Sequence, residues 1–253
     1  MLTHETTEKL YRMRLSAMAE AFKEQLAGAE ADDLSFEERF GLIVDRQWTA
    51  RRNRRLARLL KEARLRLPAC PEDIDYRHPR GLDRSVMRSL LTCAWLDAHR
   101  NVIITGPTGV GKTFIACALA NAACRQGFRV RYYRVSRLLG DLTAAKGDGT
   151  YPHLLSQLGR TDLLVLDDWG LAPVSAAGAR DLLEIIDDRA MTRSTLLASQ
   201  LPLEHWHKVV ADPTVADAIL DRIVHNAYKI SLKGESMRKA MRARTSNEGL
   251  SET

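Results

Sequence analysis

The feature that most constrains the fold is a glycine-rich segment between an apolar run and an apolar helix. It consists of Gly106, Pro107, Thr108, Gly109, Val110, Gly111, Lys112 and Thr113. The pattern predicts a strand over residues 101–105 and a helix over 114–125. Glycines let backbone amides converge on phosphate oxygens, and the start of a helix adds positive potential. This context predicts a loop that binds the phosphates of ATP, with Phe114 as the last binding residue.

The segment and a later pair of acids predict a magnesium site. In such a loop Lys112 reaches the β- and γ-phosphates, and the Thr113 hydroxyl binds Mg²⁺. Residues 163–166 form an apolar strand that ends in Asp167 and Asp168. We expect Asp167 to hold Mg²⁺ through water, and Asp168 to orient or deprotonate the water that attacks ATP.

Charge and helical periodicity divide the chain into regions. Residues 1–50 carry six Lys/Arg against ten Asp/Glu, whereas residues 51–66 carry eight against one. Apolar residues recur at helical spacing, as at Phe36, Phe40, Ile43 and Val44, and Ser35 with Glu38 predicts a capping box. We therefore predict an all-α N-terminal domain over 1–66. A proline-rich linker over 67–82, an α/β domain over 83–242 and a flexible tail over 243–253 follow it.

The basic stretch suggests an anionic partner. Its candidate DNA-binding residues are Arg51, Arg52, Arg54, Arg55 and Arg58. A helix with this many arginines can contact several phosphates of duplex DNA without reading its sequence. Two other interpretations remain open: a solvated or protein-binding helix, and a helix covered by the acidic residues 1–50.

The composition of the chain indicates its cellular compartment. The chain has no apolar run long enough to span a bilayer and no N-terminal signal-like segment, so we expect a cytoplasmic protein without membrane contact. Its four cysteines form no C-x-x-C pair and are expected to be structural thiols.

Several motifs together resemble a known family. The sequence is similar to the AAA+ ATPases of the helicase-loader clade, and most closely to the IstB-type ATP-binding helpers of insertion-sequence transposases. The resemblance covers nearly the whole chain and rests on the phosphate loop and on residues 166–170, 198–202, 221–226 and 232–239. It implies a P-loop αβα sandwich with a parallel sheet and a small helical lid from about residue 203.

The resemblance also implies roles for single residues. Gln200 matches the polar sensor residue between the metal and the γ-phosphate, with Ser199 as the alternative. Arg222 matches an arginine finger that completes the active site of a neighbouring subunit, and Arg238 matches the phosphate-contacting arginine of the lid. From position alone, base contacts are expected near residues 80–83.

The function implied is ATP-dependent assembly on duplex DNA, as a ring or helical homo-oligomer. In this role the protein would assist its cognate transposase in choosing a target site. A helicase loader, which would prefer single-stranded DNA, is the nearest alternative. A small-molecule kinase is disfavoured by the two arginine motifs. An ATP-dependent binding switch also stays open, because Asp168 is one methylene shorter than the glutamate usual at this position in the family.

Overall fold

The computed structural model describes residues 2–28 and 33–237, in two compact units, Met1–Arg58 and Leu59–Thr253. The first unit contains α1 (Leu2–Arg12), α2 (Ser16–Ala27) and most of α3 (Phe36–Ala63). The division falls inside α3, eight residues before the predicted boundary at residue 66. Helical periodicity does not reveal this division, because one uninterrupted helix contributes residues to both units.

The N-terminal unit confirms the capping box but not the predicted apolar stripe. The Ser35 backbone N–H donates to Glu38 Oε2 at 2.8 Å, and the Glu38 N–H donates to Ser35 Oγ at 3.3 Å. Within the stripe Ile43 is buried, whereas Phe36 is 80% exposed and Phe40 is 50% exposed. The helix was therefore predicted correctly, but most of its apolar face lies at the surface.

The second unit is built on a parallel sheet. Its strands are β1 (Asn101–Thr105), β2 (Val130–Arg134), β3 (Leu163–Trp169), β4 (Ser194–Ser199) and β5 (Ala227–Ser231). They lie in the order β2-β3-β4-β1-β5, and every neighbouring pair is parallel. The predicted α/β class is confirmed. Strand β5 lies within the part of the chain where the resemblance implied a small helical lid, from about residue 203.

Helices cover both faces of this sheet. They are α4 (Arg84–Leu91), α5 (Ala94–Asp97), α6 (Lys112–Arg125), α7 (Val135–Asp148), α8 (Tyr151–Gly159), α9 (Ala176–Arg189) and α10 (Pro213–Val224). Ile103, Leu164 and Leu197 pack into one core with residues of α7 to α10. Side chains along each strand point alternately to the two faces of the sheet. The face opposite this core is covered by α6, which packs against β1 to β4.

The proline-rich segment predicted as a linker packs onto the second unit. Pro71–Asp73 forms a 3₁₀ turn, and Ala69, Ile74 and Arg80 are buried. Prolines end the preceding helical pattern, but the residues between them contribute to the core. None of the described helices is long and apolar enough to cross a membrane.

Candidate active site

The predicted phosphate loop joins the carboxyl end of β1 to the start of α6. Gly106 and Gly109 have φ values of +147° and +89°. A Cβ on Gly106 would lie 2.4 Å from the Leu232 carbonyl oxygen, and one on Gly109 would lie 2.1 Å from Ser236 Oγ. Both positions therefore require glycine for conformation and for space.

Lys112 is held against the loop that precedes it. Its ammonium donates to the carbonyl oxygens of Gly106 at 2.7 Å and Pro107 at 2.8 Å, and the residue is 8% exposed. The positive charge thus lies within the loop, at the amino end of α6, where the helix dipole also favours anions. Its contact with ATP phosphates stays a prediction.

Thr113 and Asp167 meet directly below the loop. The Thr113 hydroxyl donates to Asp167 Oδ2 at 2.7 Å, although the two residues lie on α6 and β3. Hydroxyl and carboxylate oxygens are hard ligands of the kind that Mg²⁺ prefers. The two predicted metal residues are therefore brought together, and their chemistry fits the ion.

Tyr132 is a further residue of this cluster that the sequence did not reveal. Its hydroxyl donates to Asp167 Oδ2 at 2.6 Å. Burial raises the pKa of Tyr132, and the hydrogen bond to Asp167 raises it further, so the phenol stays protonated at neutral pH. The register of β2 and β3 pairs Arg134 with Asp167, which places Tyr132 two residues earlier on the same face. Tyr132 could have been predicted only from the strand order, because its contact with Asp167 depends on β2 lying next to β3.

Asp168 lies beside Asp167 in an unusual backbone conformation. Its φ is +60°, and the β3–β4 register shifts between Leu166 and Trp169. Asp168 Oδ2 accepts from Arg134 Nε at 3.1 Å and from Arg66 at 3.3 Å. The carboxylate is therefore held by two arginines that were not predicted as site residues.

The two candidate sensor residues occupy different environments. Gln200 Oε1 accepts a hydrogen bond from the Thr108 hydroxyl of the phosphate loop at 2.7 Å. Ser199 is fully buried, and its hydroxyl donates to the Trp169 carbonyl oxygen at 2.8 Å. Of the two, Gln200 contacts the phosphate loop, and its sensor role stays a prediction.

These groups surround a cavity of about 480 Å³, a volume within the range of small-molecule sites. Lys112, Thr113, Phe114, Asp168 and Gln200 line it.

A second group of lining residues includes Leu67, Asp75, Arg80 and Met237. Arg80 is 1% exposed and donates to the carbonyl oxygens of Val110 at 2.9 Å and Asp75 at 2.8 Å. Burial lowers the pKa of its guanidinium. The segment expected near the base therefore contributes Arg80 to the cavity wall.

The arginine predicted as a finger is not among the described residues that line this cavity. Arg222 lies on α10, forms an ion pair with Asp187 of α9, and donates to the Ala218 carbonyl oxygen at 3.0 Å. Arg238 lies outside the described residues. The arginines proposed for DNA, Arg51, Arg52, Arg54, Arg55 and Arg58, are all exposed on α3.

Comparisons with known proteins found a matching family model and similar proteins. A family model described as IstB-like ATP binding protein matches residues 8–245. A putative insertion sequence ATP-binding protein of Sinorhizobium fredii (strain NBRC 101917 / NGR234) is 49% identical over 97% of this chain and 100% of that protein.

Two solved structures have a similar fold. AMPPCP-bound DnaA from Aquifex aeolicus has a TM-score of 0.57 at 20% identity, over 73% of this chain and 56% of that chain. A DnaI structure has a TM-score of 0.57 at 21% identity, over 70% of this chain and 93% of that chain. The chain thus spans little more than half of that DnaA, and at these identities both structures show the fold alone.

Proposed function

This chain belongs to the IstB-like ATP-binding protein family, and from that premise we propose that it is a Mg²⁺-dependent ATPase that assists a transposase on duplex DNA. It is an ATP-binding protein of the insertion-sequence type, with an AAA+ fold similar to that of the DnaC helicase loader. Beyond membership of this family, we propose that the protein hydrolyses ATP, binds DNA, forms oligomers and takes part in target selection.

The observation that carries the proposal is the 2.7 Å hydrogen bond between Thr113 and Asp167 beneath the phosphate loop. It supports a site in which Thr113 and Asp167 hold Mg²⁺, which supplies charge to stabilise the phosphoryl group during transfer. The loop amides and Lys112 bind the phosphates. Asp168 accepts the proton of the attacking water, and Gln200, which contacts the phosphate loop through Thr108, orients the terminal phosphate.

Two features support assembly of several subunits. Arg222 is not among the described residues that line the cavity, whereas its motif matches the finger of AAA+ proteins. A finger that acts on a neighbour requires a head-to-tail interface, which produces rings or helical filaments. In such an assembly Arg222 would exchange its ion pair with Asp187 for a phosphate on the next subunit.

The exposed arginines of α3 support DNA binding. Arg51, Arg54, Arg55 and Arg58 offer cations at the surface of a continuous helix, which suits contact with phosphates rather than with base edges. We propose that ATP stabilises the assembly on duplex DNA, that the transposase recognises the assembly, and that hydrolysis resets it. Insertion-sequence relatives, one of them 49% identical, favour this role over helicase loading.

The test is ATP turnover by the purified protein with Mg²⁺, titrated separately with duplex and single-stranded DNA. We expect duplex DNA to stimulate turnover and Arg222→Ala to abolish the stimulation. Stimulation by single-stranded DNA alone would favour a helicase loader. Turnover that ignores both DNAs and survives the Arg222 substitution would refute the proposal.

A further inference from the structure

The metal-site carboxylate Asp167 is held by three hydrogen-bond donors. Asp167 is 1% exposed, so solvent does not compensate for a missing donor. Its Oδ1 accepts from the Asp168 backbone N–H at 2.8 Å. Its Oδ2 accepts from Thr113 at 2.7 Å and from Tyr132 at 2.6 Å. The orientation of a buried carboxylate with this geometry depends on each of these groups.

Tyr132 differs from the other two donors because it is a side chain that would not itself bind the metal. Thr113 is itself an expected metal ligand, and the Asp168 N–H belongs to the backbone. Tyr132 is 8% exposed and reaches Asp167 from the neighbouring strand, without being a ligand in the proposed site. Tyr132 would therefore act on a metal through the position of the Asp167 carboxylate.

Arg66 also lies near the Asp167 carboxylate, but as a positive charge it would oppose the binding of a metal cation there. Its guanidinium lies 3.8 Å from Asp167 Oδ2 and 3.3 Å from Asp168 Oδ2, and its side chain is 39% exposed. A cation between two acids stabilises them as an ion pair. It also competes electrostatically with any divalent cation that uses Asp167.

We propose that Tyr132 and Arg66 are positioning residues that set the Mg²⁺ dependence of nucleotide binding in opposite directions. Tyr132 holds Asp167 in the orientation that receives the ion, and Arg66 opposes the ion until it is displaced from the two acids. The inference rests on the proposed function, because it presumes that Thr113 and Asp167 hold Mg²⁺.

The experiment measures binding of a non-hydrolysable ATP analogue to the full chain, once with Mg²⁺ and once with EDTA. The ratio of the Kd in EDTA to the Kd in Mg²⁺ reports the coupling between metal and nucleotide, and it cancels effects on nucleotide binding alone. We expect Tyr132→Phe to reduce this ratio about tenfold or more, the usual effect of removing a group behind a metal ligand. We expect Arg66→Gln to increase it about two- to fivefold, the range of a partly exposed ion pair.

Two neighbours provide matched controls. Tyr133→Phe removes the hydroxyl of the adjacent tyrosine, whose ring packs against the hydrophobic core, and Arg64→Gln removes an exposed charge two residues from Arg66. Both controls should leave the ratio unchanged. Binding in EDTA shows that each variant is folded.

The outcomes separate the two proposals. A wild-type ratio near one would refute the magnesium site, and this inference with it. A wild-type protein that depends on Mg²⁺, with Tyr132→Phe equal to its control or Arg66→Gln lowering the ratio, would refute the inference alone.

Discussion

Asp168 combines a left-handed backbone with a side chain shared by two arginines, Arg66 and Arg134. Aspartate and asparagine tolerate positive φ better than most residues do. Asp168 also lines the cavity, so its carboxylate is both accessible and held in place. A base for the attacking water needs this combination of access and fixed direction.

Asp168→Asn should separate nucleotide binding from hydrolysis. Asparagine keeps the backbone conformation and the size of the side chain but cannot accept the proton. We expect the affinity for ATP to persist and turnover to fall by about 10²- to 10⁴-fold, the usual contribution of a general base. Binding titration and phosphate release measure the two effects, with Asp188→Asn at an exposed position of α9 as the control. Unchanged turnover would show that Asp168 is not the base.

The cysteines allow a pH-dependent test of burial. Burial raises the pKa of Cys93 to about 11 and that of Cys124 to about 12, and it also raises the pKa of Cys117. Cys70 is only partly buried. A raised pKa keeps a thiol protonated and unreactive until the pH approaches that value.

We therefore expect one thiol to react rapidly with a disulfide reagent at pH 8, and the other three to react only after unfolding. The coloured product counts the thiols over time, and Cys70→Ser should remove the rapid phase. Rapid reaction of two or more thiols in the native protein would contradict the buried positions of Cys93, Cys117 and Cys124.

At the scale of elements, local patterns were predictable and lateral neighbours were not. β1, the phosphate loop and α6 follow one another in the chain, so their arrangement could be predicted from contiguous residues. β3 was predictable because burial on both faces gives the strand a continuous apolar run in the sequence. β5 was missed because Ile230 is its only buried residue, which leaves no apolar run to recognise.

The same distinction holds within the active site. Thr113 and Asp167 come from motifs whose spacing along the chain carries the prediction. Three other residues contact the two acids: Tyr132 and Arg134 from β2, and Arg66 from the segment after α3. These contacts depend on strand order and packing. Nothing in a single sequence specifies that β2 lies next to β3, so these three residues emerged only from the structure.

Arg189 shows how one buried side chain joins several elements. It is 1% exposed at the end of α9. It donates to the carbonyl oxygens of Leu158 at 2.6 Å and Thr161 at 2.8 Å, and it also donates to the Ser194 carbonyl oxygen. These acceptors belong to the end of α8, the segment before β3 and the start of β4.

Arg189→Met should destabilise the second unit strongly. Methionine fills much of the space but removes the Arg189 donor from the Thr161 and Ser194 carbonyl oxygens, and each buried acceptor left unpaired costs about 1–3 kcal/mol. The Leu158 carbonyl oxygen still accepts from the Thr161 N–H. We expect the free energy of unfolding to fall by about 3 kcal/mol or more, measured by chemical denaturation. Arg193→Met, at a partly exposed ion pair with Asp162, should cost less than about 1 kcal/mol. Equal effects of the two substitutions would show that the Arg189 hydrogen bonds do not stabilise the fold.

At the scale of the molecule, charge is distributed unevenly. The formal net charge is +6, but residues 1–50 are net acidic and residues 51–66 are strongly basic. If α3 binds duplex DNA through phosphates, affinity should depend steeply on salt, because each neutralised phosphate releases counterions. The number of neutralised phosphates can therefore be read from the salt dependence.

Replacing Arg51, Arg54, Arg55 and Arg58 by glutamine should reduce that dependence. We expect the slope of log K against log salt to decrease in magnitude by about 0.9 for each phosphate that the variant no longer neutralises. Fluorescence anisotropy of labelled duplex DNA measures it. A control with glutamine at Arg12, Arg77, Arg88 and Arg180, all exposed, changes the total charge equally. If both variants change the slope alike, binding follows net charge and not the helix.

If the active site is shared between subunits, as proposed, a mixture of two inactive variants should regain turnover. Lys112→Ala removes the loop cation and leaves Arg222 intact, whereas Arg222→Ala leaves the loop intact and removes the finger. Each variant alone should lack DNA-stimulated turnover. In an equal mixture, about a quarter of randomly formed head-to-tail interfaces join an intact loop to an intact finger, so turnover should reappear at about that fraction of wild type. If the mixture stays inactive although both variants assemble on DNA, as judged by sedimentation, Arg222 does not complete a neighbour's site. If Arg222→Ala is fully active alone, each subunit hydrolyses ATP by itself.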